Sequence, residues 1–444
     1  MKQLKQWVLL EISYQIIYNF IMQNQHQTPS KYKTLCVFTV NYPYTPGEQF
    51  FHDEINYLAE NFDDISIVSM ESNLKKTRVT PPKNCRVVGL DRKKFLFRSV
   101  LKAIAKMFSP TTFKEMRFAK KELGWSSFFK RWSRIFSYYL YSGRQVAWIK
   151  KNIEKNNNQI ILYSYWLGPT AYGLAKFKKS GYKFKAISRA HGYDAFLDRG
   201  YQPFRKEIYK HLDEIHFISN NAKVQFEEKL ANYVPKPNAT LYTSHLGLVN
   251  TSNKINPDSN DSTSFTIVSC SNIVDIKRID MIIDALGELK HLPIYWRHFG
   301  SGPLLNSLLD HAKATFENTN INFSFEGQLS NEKIMNYYET TPINLFINTS
   351  DNEGIPYSIM EANSYGIPAL GRDVGGMSEI IEDGNNGILL PKDAGYEAVA
   401  KAILDFMDKS ETEIRQMRLN AFANWDNSFN ALKNYSLFYK TIIK

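Results

Sequence analysis

The chain has 444 residues, 43% hydrophobic and 22% charged, with a formal net charge of +11. That length holds two domains with separate cores, and the composition is ordinary for a soluble globular protein. No run of 18 apolar residues exists, so no membrane-spanning helix is expected. No small-residue cleavage site follows the N-terminus, so no secretory leader is expected. Cys36, Cys85 and Cys270 are scattered without zinc spacing; Cys36 and Cys270 lie in apolar runs and read as buried thiols of a reducing compartment.

Residues 1–25, within an extension over 1–30, read as an amphipathic helix, with Gln3, Glu11, Gln15, Asn19 and Gln23 on a four-residue spacing and Trp7, Ile12, Ile16 and Phe20 elsewhere. Such a helix suits a membrane interface or is an extension of little consequence. Strands are then predicted at 35–40, 65–70, 85–89, 160–165, 184–190, 214–219 and 240–246, with a helix over 49–61. The segment 92–155 interrupts this series. It holds 17 Lys and Arg against three acids, and 14 aromatics that include Trp125, Phe128, Phe129, Trp132, Phe136, Tyr138 and Tyr139. Basic charge beside aromatics suits an anionic membrane surface. It also suits nucleic acid, or a helical insertion whose aromatics are core. The membrane surface is the partner expected, and nucleic acid is not. A first domain over 31–248 ends in a polar linker, 249–264. A second alternating series follows over 265–424, with strands at 265–271, 294–299, 321–326, 343–348, 367–371 and 387–390, and a helix near 427–443 lies in a last segment, 425–444. Alternation of strand and helix argues for α/β domains with doubly wound parallel sheets.

The densest chemistry lies at Asp351-Asn-Glu-Gly-Ile-Pro-Tyr-Ser-Ile-Met-Glu361. Apolar residues before it read as a buried strand, and Pro356 suits the first turn of a helix. Open α/β sheets bind ligands where a strand ends and a helix begins, and backbone N–H groups there hold phosphate or sugar oxygens. Glu353 and Glu361 are eight positions apart, on the order of 12 Å along a helix. That spacing suits one extended ligand gripped at both ends. It does not suit a paired-carboxylate hydrolase, whose carboxylates stand roughly 5–9.5 Å apart. Phe299-Gly-Ser-Gly-Pro303 lets backbone approach a nucleotide closely, while Leu305 departs from the dinucleotide fingerprint. No His, Asp or Glu cluster has metal-ligand spacing. Asp63-Asp64 is adjacent, with nothing to place it in a cleft.

Glu-x7-Glu, with Ala362-Asn-Ser-Tyr-Gly-Ile-Pro368, Asp373-Val-Gly-Gly-Met-Ser-Glu379 and Asp383-Gly-Asn-Asn-Gly387, resembles the donor half of glycosyltransferase family four, of the bacterial polysaccharide group 1 type. The likeness is dense over 265–391 and sparse before it. It implies the GT-B fold, two Rossmann-like domains facing a central cleft, with the last helix crossing back onto the first domain. It implies a retaining enzyme that uses a nucleotide sugar such as a UDP- or GDP-sugar. No cofactor and no metal are expected, with cations and helix dipoles in the metal's place. Glu361 would hold the ribose. Glu353, with the backbone of Gly354, Ile355, Pro356, Tyr357 and Ser358, would hold the donor sugar. Gly300 and Gly302 would lie by the base and ribose. Lys277 matches the family's diphosphate lysine. Asn272 stands where the family has Arg, and Arg278 stands where it commonly has Gly. His191, in Arg189-Ala-His-Gly-Tyr-Asp194, would support the reacting sugar. Gly47 matches the one glycine kept of the family's first-loop pair. With Glu353 and Lys277, His191 forms the expected catalytic set. The function so implied is glycan transfer in exopolysaccharide, capsule or lipopolysaccharide synthesis. The acceptor would be lipid-linked and the enzyme cytoplasmic, peripheral on the inner face of the plasma membrane. The alternatives are a nucleotide-sugar epimerase of the same fold and a catalytically idle glycan-binding subunit.

Overall fold

The computed structural model describes residues 32–44, 48, 50–70, 79–90, 96–123, 128–154, 159–196, 201–250, 255–256 and 264–444. The helix expected over 1–25 and the loop glycine Gly47 lie outside the described residues.

Two parallel sheets organise the chain. The first is seven-stranded, in the order β3-β2-β1-β4-β5-β6-β7, with β1 Thr34–Thr39, β2 Asp64–Ser69, β3 Cys85–Gly89, β4 Ile160–Ser164, β5 Lys185–Ala190, β6 Glu214–Phe217 and β7 Thr240–Thr243. The second is six-stranded, in the order β10-β9-β8-β11-β12-β13, with β8 Phe265–Cys270, β9 Ile294–Phe299, β10 Ile321–Phe325, β11 Leu345–Asn348, β12 Ala369–Arg372 and β13 Gly387–Leu390. Strand order reverses between β1 and β4, and again between β8 and β11. Ligands bind beyond the carboxyl ends of strands at such reversals.

Near-continuous apolar strands fit sheets buried on both faces. Side chains alternate across each strand. In β1, Cys36 and Phe38 join one core with Val68, Leu162 and Ala186. Leu35 and Val37 join another with Ile65, Ile67, Ile161 and Ile187. In the second sheet, Ile267 and Ile347 face one core while Val268 and Phe346 face the other. The last helix, Ala431–Ile442, buries Tyr435, Phe438, Tyr439 and Ile442 among residues of the first domain. A wide turn at Trp425–Phe429 precedes it.

In the first domain, helix α1 spans Phe51–Ala59. Between β3 and β4 stand α2 (Leu96–Met107), α3 (Pro110–Leu123) and α4 (Phe128–Asn152), and α5 (Pro169–Lys179) follows β4. The aromatics of this segment divide. Tyr138 and Tyr139 are buried, and Trp132 and Phe136 are half-buried against the same core. Phe204 stacks on Tyr172 of α5 at 4.1 Å and lies 5.3 Å from Tyr139. These rings are core, as the helical-insertion reading of the segment has them. Phe129, in contrast, is 85% exposed. Trp125 lies outside the described residues.

Candidate active site

Lys277 follows β8 and Glu353 follows β11, so both stand at the strand reversal of the second sheet. Their side chains meet, with the Lys277 ammonium 2.6 Å from Glu353 Oε1. The same oxygen accepts Ser350 Oγ at 2.7 Å and Asn348 Nδ2 at 3.1 Å. Neither Ser350 nor Asn348 is among the residues that sequence singles out, although a polar run closing an apolar strand is a signal that could have done so. The two loops are stitched together: Asp351 N–H donates to the Ile276 carbonyl at 2.9 Å, and the Thr349 hydroxyl donates to the Arg278 carbonyl at 2.8 Å.

Arg278 has φ 49° and ψ 46°. That is the left-handed region that favours glycine, which accounts physically for the glycine common at this place in the resembling family. Its guanidinium is bound by Asp280 at 3.0 Å and Asp351 at 3.5 Å, apart from the Glu353 cluster. Asn272 is exposed.

Glu361 lies in the helix Tyr357–Ser364 and is buried, its Oε1 accepting Asn331 Nδ2 at 2.5 Å. Pro356 caps that helix rather than entering its first turn. Burial pushes the Glu361 carboxyl up to about 8; the Asn331 amide opposes this and the Asp53 charge adds to it. An acid whose folded pKa exceeds its unfolded value contributes stability below the unfolded pKa. It loses that contribution as pH rises through the folded pKa. Glu361→Gln removes the titration. The stability of the wild type relative to this variant is therefore expected to fall between about pH 5 and about pH 9. Thermal midpoints of both proteins across that range check it, and a constant difference would contradict it.

Gly300 and Gly302 let the loop after β9 lie on the loop after β8. A Cβ on Gly300 would meet the Ser271 carbonyl oxygen at 1.8 Å, and one on Gly302 the Ile273 carbonyl oxygen at 2.2 Å. No side chain fits in either place.

Across the cleft, His191 follows β5. Asp194 Oδ1 accepts the His191 N–H at 2.5 Å, and its Oδ2 accepts the Leu167 N–H at 2.6 Å. His191 Nε2 lies 3.0 Å from the Tyr165 carbonyl oxygen. A carbonyl only accepts, so Nε2 carries the proton in the neutral ring and Nδ1 is an acceptor. Burial first, and then the Arg189 charge, push the His191 pKa down to about 3, so the ring is neutral near pH 7. The ring packs 4.4 Å from Trp166, 5.0 Å from Tyr165 and 5.3 Å from Phe50. A Cβ placed on Gly354 would lie 3.4 Å from Gly192 Cα, so the His191 turn and the Glu353 loop adjoin.

Further contacts shape this cleft, with Glu48 and Asp53 not picked out from sequence. Glu48 is buried, and its carboxylate accepts the N–H groups of Val40, Asn41 and Tyr42 and the Trp166 indole N–H. It fixes the loop after β1 and the indole beside His191. The Tyr357 hydroxyl donates to Asp53 Oδ2 at 3.2 Å, linking the two domains. Glu379 accepts the N–H groups of Asn220 and Asn221 at 2.7 and 2.9 Å, at the start of the helix Asn220–Ala231. Beside these contacts a cavity of about 510 Å³ opens between Asn221 and Gln225 on one side and Asn352, Arg372 and Gly375 on the other.

Two facing Rossmann-like domains, with this cluster at the reversal of the second sheet, define the GT-B fold. Solved structures agree. The lipopolysaccharide outer core galactosyltransferase WaaB superposes with a TM-score of 0.62 at 15% identity, over 92% of this chain and 99% of that one. HepE of Anabaena, solved in complex with UDP, gives 0.60 at 12% identity over the same shares. Residues 251–422 match the family described as glycosyl transferases group 1. The O-antigen biosynthesis glycosyltransferase WbnH of Escherichia coli is 29% identical over 188 residues, 41% of this chain and 48% of that protein. The GtfA subunit of the UDP-N-acetylglucosamine–peptide N-acetylglucosaminyltransferase of Streptococcus pneumoniae is 30% identical over 135 residues, 30% of this chain and 25% of that protein. The match spans about half the length of the E. coli protein.

Proposed function

We propose that the chain is a retaining, metal-independent glycosyltransferase. It moves a sugar from a nucleotide diphosphate donor to a lipid-linked glycan in cell-surface polysaccharide assembly, at the cytoplasmic face of a membrane. The observation that carries this reading is the Lys277–Glu353 pair at the strand reversal, eight residues before Glu361 and adjoining the His191 turn. The likeness to an O-antigen glycosyltransferase supports the pathway class, and the UDP complexes of HepE support a uridine donor. Among the described residues no helix is long and apolar enough to cross a membrane.

In this reading Glu361 grips the ribose. The start of the helix Tyr357–Ser364 turns N–H groups toward the donor. Lys277 moves from Glu353 to the diphosphate, where negative charge grows as the bond from the sugar C1 to phosphate oxygen breaks. Glu353, still oriented by Ser350 and Asn348, accepts a sugar hydroxyl. The acceptor hydroxyl attacks C1 from the face that the diphosphate leaves, and its proton passes to the departing phosphate oxygen. Neutral His191, its ring held by the Asp194 N–H and the Tyr165 carbonyl, supports the reacting sugar.

The test is incubation with UDP- and GDP-sugars without acceptor. Slow release of free sugar and nucleotide diphosphate is expected. An epimerised donor would favour the epimerase, and no turnover of any donor would favour the idle subunit. Activity is also expected to survive EDTA. Among the described residues no three His, Cys, Asp or Glu side chains converge on a metal-sized site. Loss of activity in EDTA with rescue by Mn²⁺ would overturn metal independence.

A further inference from the structure

The cavity of about 510 Å³ beside the Glu353 loop is not used by the donor chemistry. Its size is that of a small-molecule site, roughly 300–1,000 Å³. Both domains wall it: Phe196, Asn221 and Gln225 belong to the first, and Asn352, Asp373 and Lys392 to the second. Glu379 holds the two sides in register through the Asn220 and Asn221 N–H groups, and the Asn221 amide donates to the Gly375 carbonyl at 2.5 Å. Asn352 stands next to Glu353 in sequence, yet neither Glu353 nor Lys277 lines the cavity. Strand order explains this. Lys277 and Gly300 follow β8 and β9, on one side of the Glu353 loop, whereas Arg372 ends β12 and Lys392 follows β13, on the other.

The chemistry of the walls excludes most classes of ligand. Arg372 and Lys392 are balanced by Asp351 and Asp373, so an anion finds no surplus of positive charge. The Arg372 guanidinium is moreover spent within the wall, donating to Asp351 Oδ1 at 2.6 Å, to the Thr349 carbonyl at 3.2 Å and to the Lys392 carbonyl. The apolar lining side chains, Phe196 and Val374, are 2% and 8% exposed, too little to hold an apolar ligand. Polar groups are left over. Gln225 Nε2 is held by Asn221 Oδ1 at 2.8 Å. Among the described residues, no hydrogen bond engages Gln225 Oε1, the Asn352 amide or the Asp373 carboxylate. A hydroxyl both donates and accepts, so an amide, a carboxylate or an ammonium satisfies it. A ring with several hydroxyls and no charge matches such a wall.

We propose that this cavity is a second sugar subsite, which takes an uncharged pyranose ring of the glycan acceptor, behind the unit that reacts. Asn352, Gln225 and Asp373 bind its hydroxyls. The donor is gripped on the other side of the Glu353 loop, so a bound donor leaves the cavity open to a glycan. The subsite orients the acceptor and takes no part in the exchange of bonds. Because its walls come from both domains, a ring bound there also favours the arrangement that sets Gly354 against the His191 turn. The inference rests on the transferase reading for the source of the ring, not for the chemistry of the cavity.

The test is saturation-transfer difference NMR of the full chain, titrated with the uncharged methyl glycosides of glucose, galactose, mannose and N-acetylglucosamine. At least one glycoside is expected to bind. Gln225→Ala with Asp373→Ala is expected to weaken it about tenfold or more, through the loss of two hydrogen-bonding groups. Gln225→Phe, which fills the cavity, should abolish it. Gln225 is half-buried and Asp373 exposed, so thermal midpoints should hold in both variants, which separates lost binding from lost folding. The KM for donor hydrolysis without acceptor is expected to be unchanged. A raised donor KM would put the donor's own ring in the cavity and overturn the acceptor assignment. No glycoside binding to the wild type, or binding that neither variant alters, overturns the subsite. Tighter binding of glucose 6-phosphate than of methyl glucoside at the cavity would overturn the uncharged class. A wild type that hydrolyses no donor, yet binds a glycoside in a Gln225- and Asp373-dependent way, would keep the subsite and fail the transferase reading alone.

Discussion

Lys277→Ala is expected to lower kcat/KM for the donor by about 10²–10³. The ammonium sits 2.6 Å from Glu353 Oε1, so each group holds the other at the place the proposed reading gives to sugar and diphosphate. A donor brings its own negative charge and takes the ammonium. The interaction then strengthens as the leaving diphosphate gains charge, which is the condition for raising kcat rather than only tightening binding. Loss of the lysine also leaves the buried Glu353 without its cation, while the Ser350 and Asn348 donors favour its present rotamer. Lys277→Arg keeps the charge but exchanges a compact ammonium for a planar fork, so partial recovery is expected. Glu353→Gln should lower kcat with little change in donor binding, because the proposed reading makes the distorting sugar its partner. Glu361→Ala should mainly weaken donor binding, by about tenfold or more, because the ribose contact proposed for it is equal in ground and transition states. Steady-state kinetics with donor titration separates these outcomes. Wild-type constants in Lys277→Ala and Glu353→Gln would remove the site from this cluster.

Local patterns in the chain carried most of the architecture. The strand expected over 85–89 is Cys85–Gly89, and that over 294–299 is Ile294–Phe299, because short β-rich runs bounded by turn residues leave little choice of ends. The Glu353–Glu361 segment was legible for the same reason, since both glutamates and the glycine and proline between them lie within one short stretch from the strand's end into the next helix. Partners supplied by the fold were not legible. Trp166 meets Glu48 from 118 positions away, and Asn331 meets Glu361 from 30. No spacing rule joins such pairs; only the order of strands does. The basic segment was ambiguous for a third reason. Its composition resembles a surface, but α4 turns Tyr138 and Tyr139 toward α5 and Phe204, and composition does not record which side of a helix is covered. Exposure is instead concentrated on α2, at residues whose spacing alone did not distinguish them from core.

The largest loss of stability is expected from Arg189→Met, at about 3–5 kcal/mol. Arg189 lies in β5, two residues before His191, and its side chain and that of Glu54 in α1 are fully buried, 3.1 Å apart. Each charge has other partners. The Tyr163 hydroxyl donates to Glu54 Oε1 at 2.7 Å, and Arg189 donates to the Tyr163 oxygen at 3.0 Å and to the Ser244 carbonyl at 2.8 Å. The guanidinium also stands over the Phe438 ring at 4.3 Å, which ties the last helix to this network. Methionine fills similar space without charge, so Glu54 would remain as a buried carboxylate without its cation. Breaking one side of such a pair is costly because the surviving charge is uncompensated, whereas removing both charges is far milder. Arg189→Met with Glu54→Gln should therefore be more stable than Arg189→Met alone, since the amide keeps an acceptor for Tyr163 and carries no charge. Urea unfolding followed by far-ultraviolet circular dichroism compares the three proteins. A single variant within about 1 kcal/mol of wild type, or a double variant no better than the single, would show that the pair is not what binds β5, α1 and the last helix together beneath the cleft.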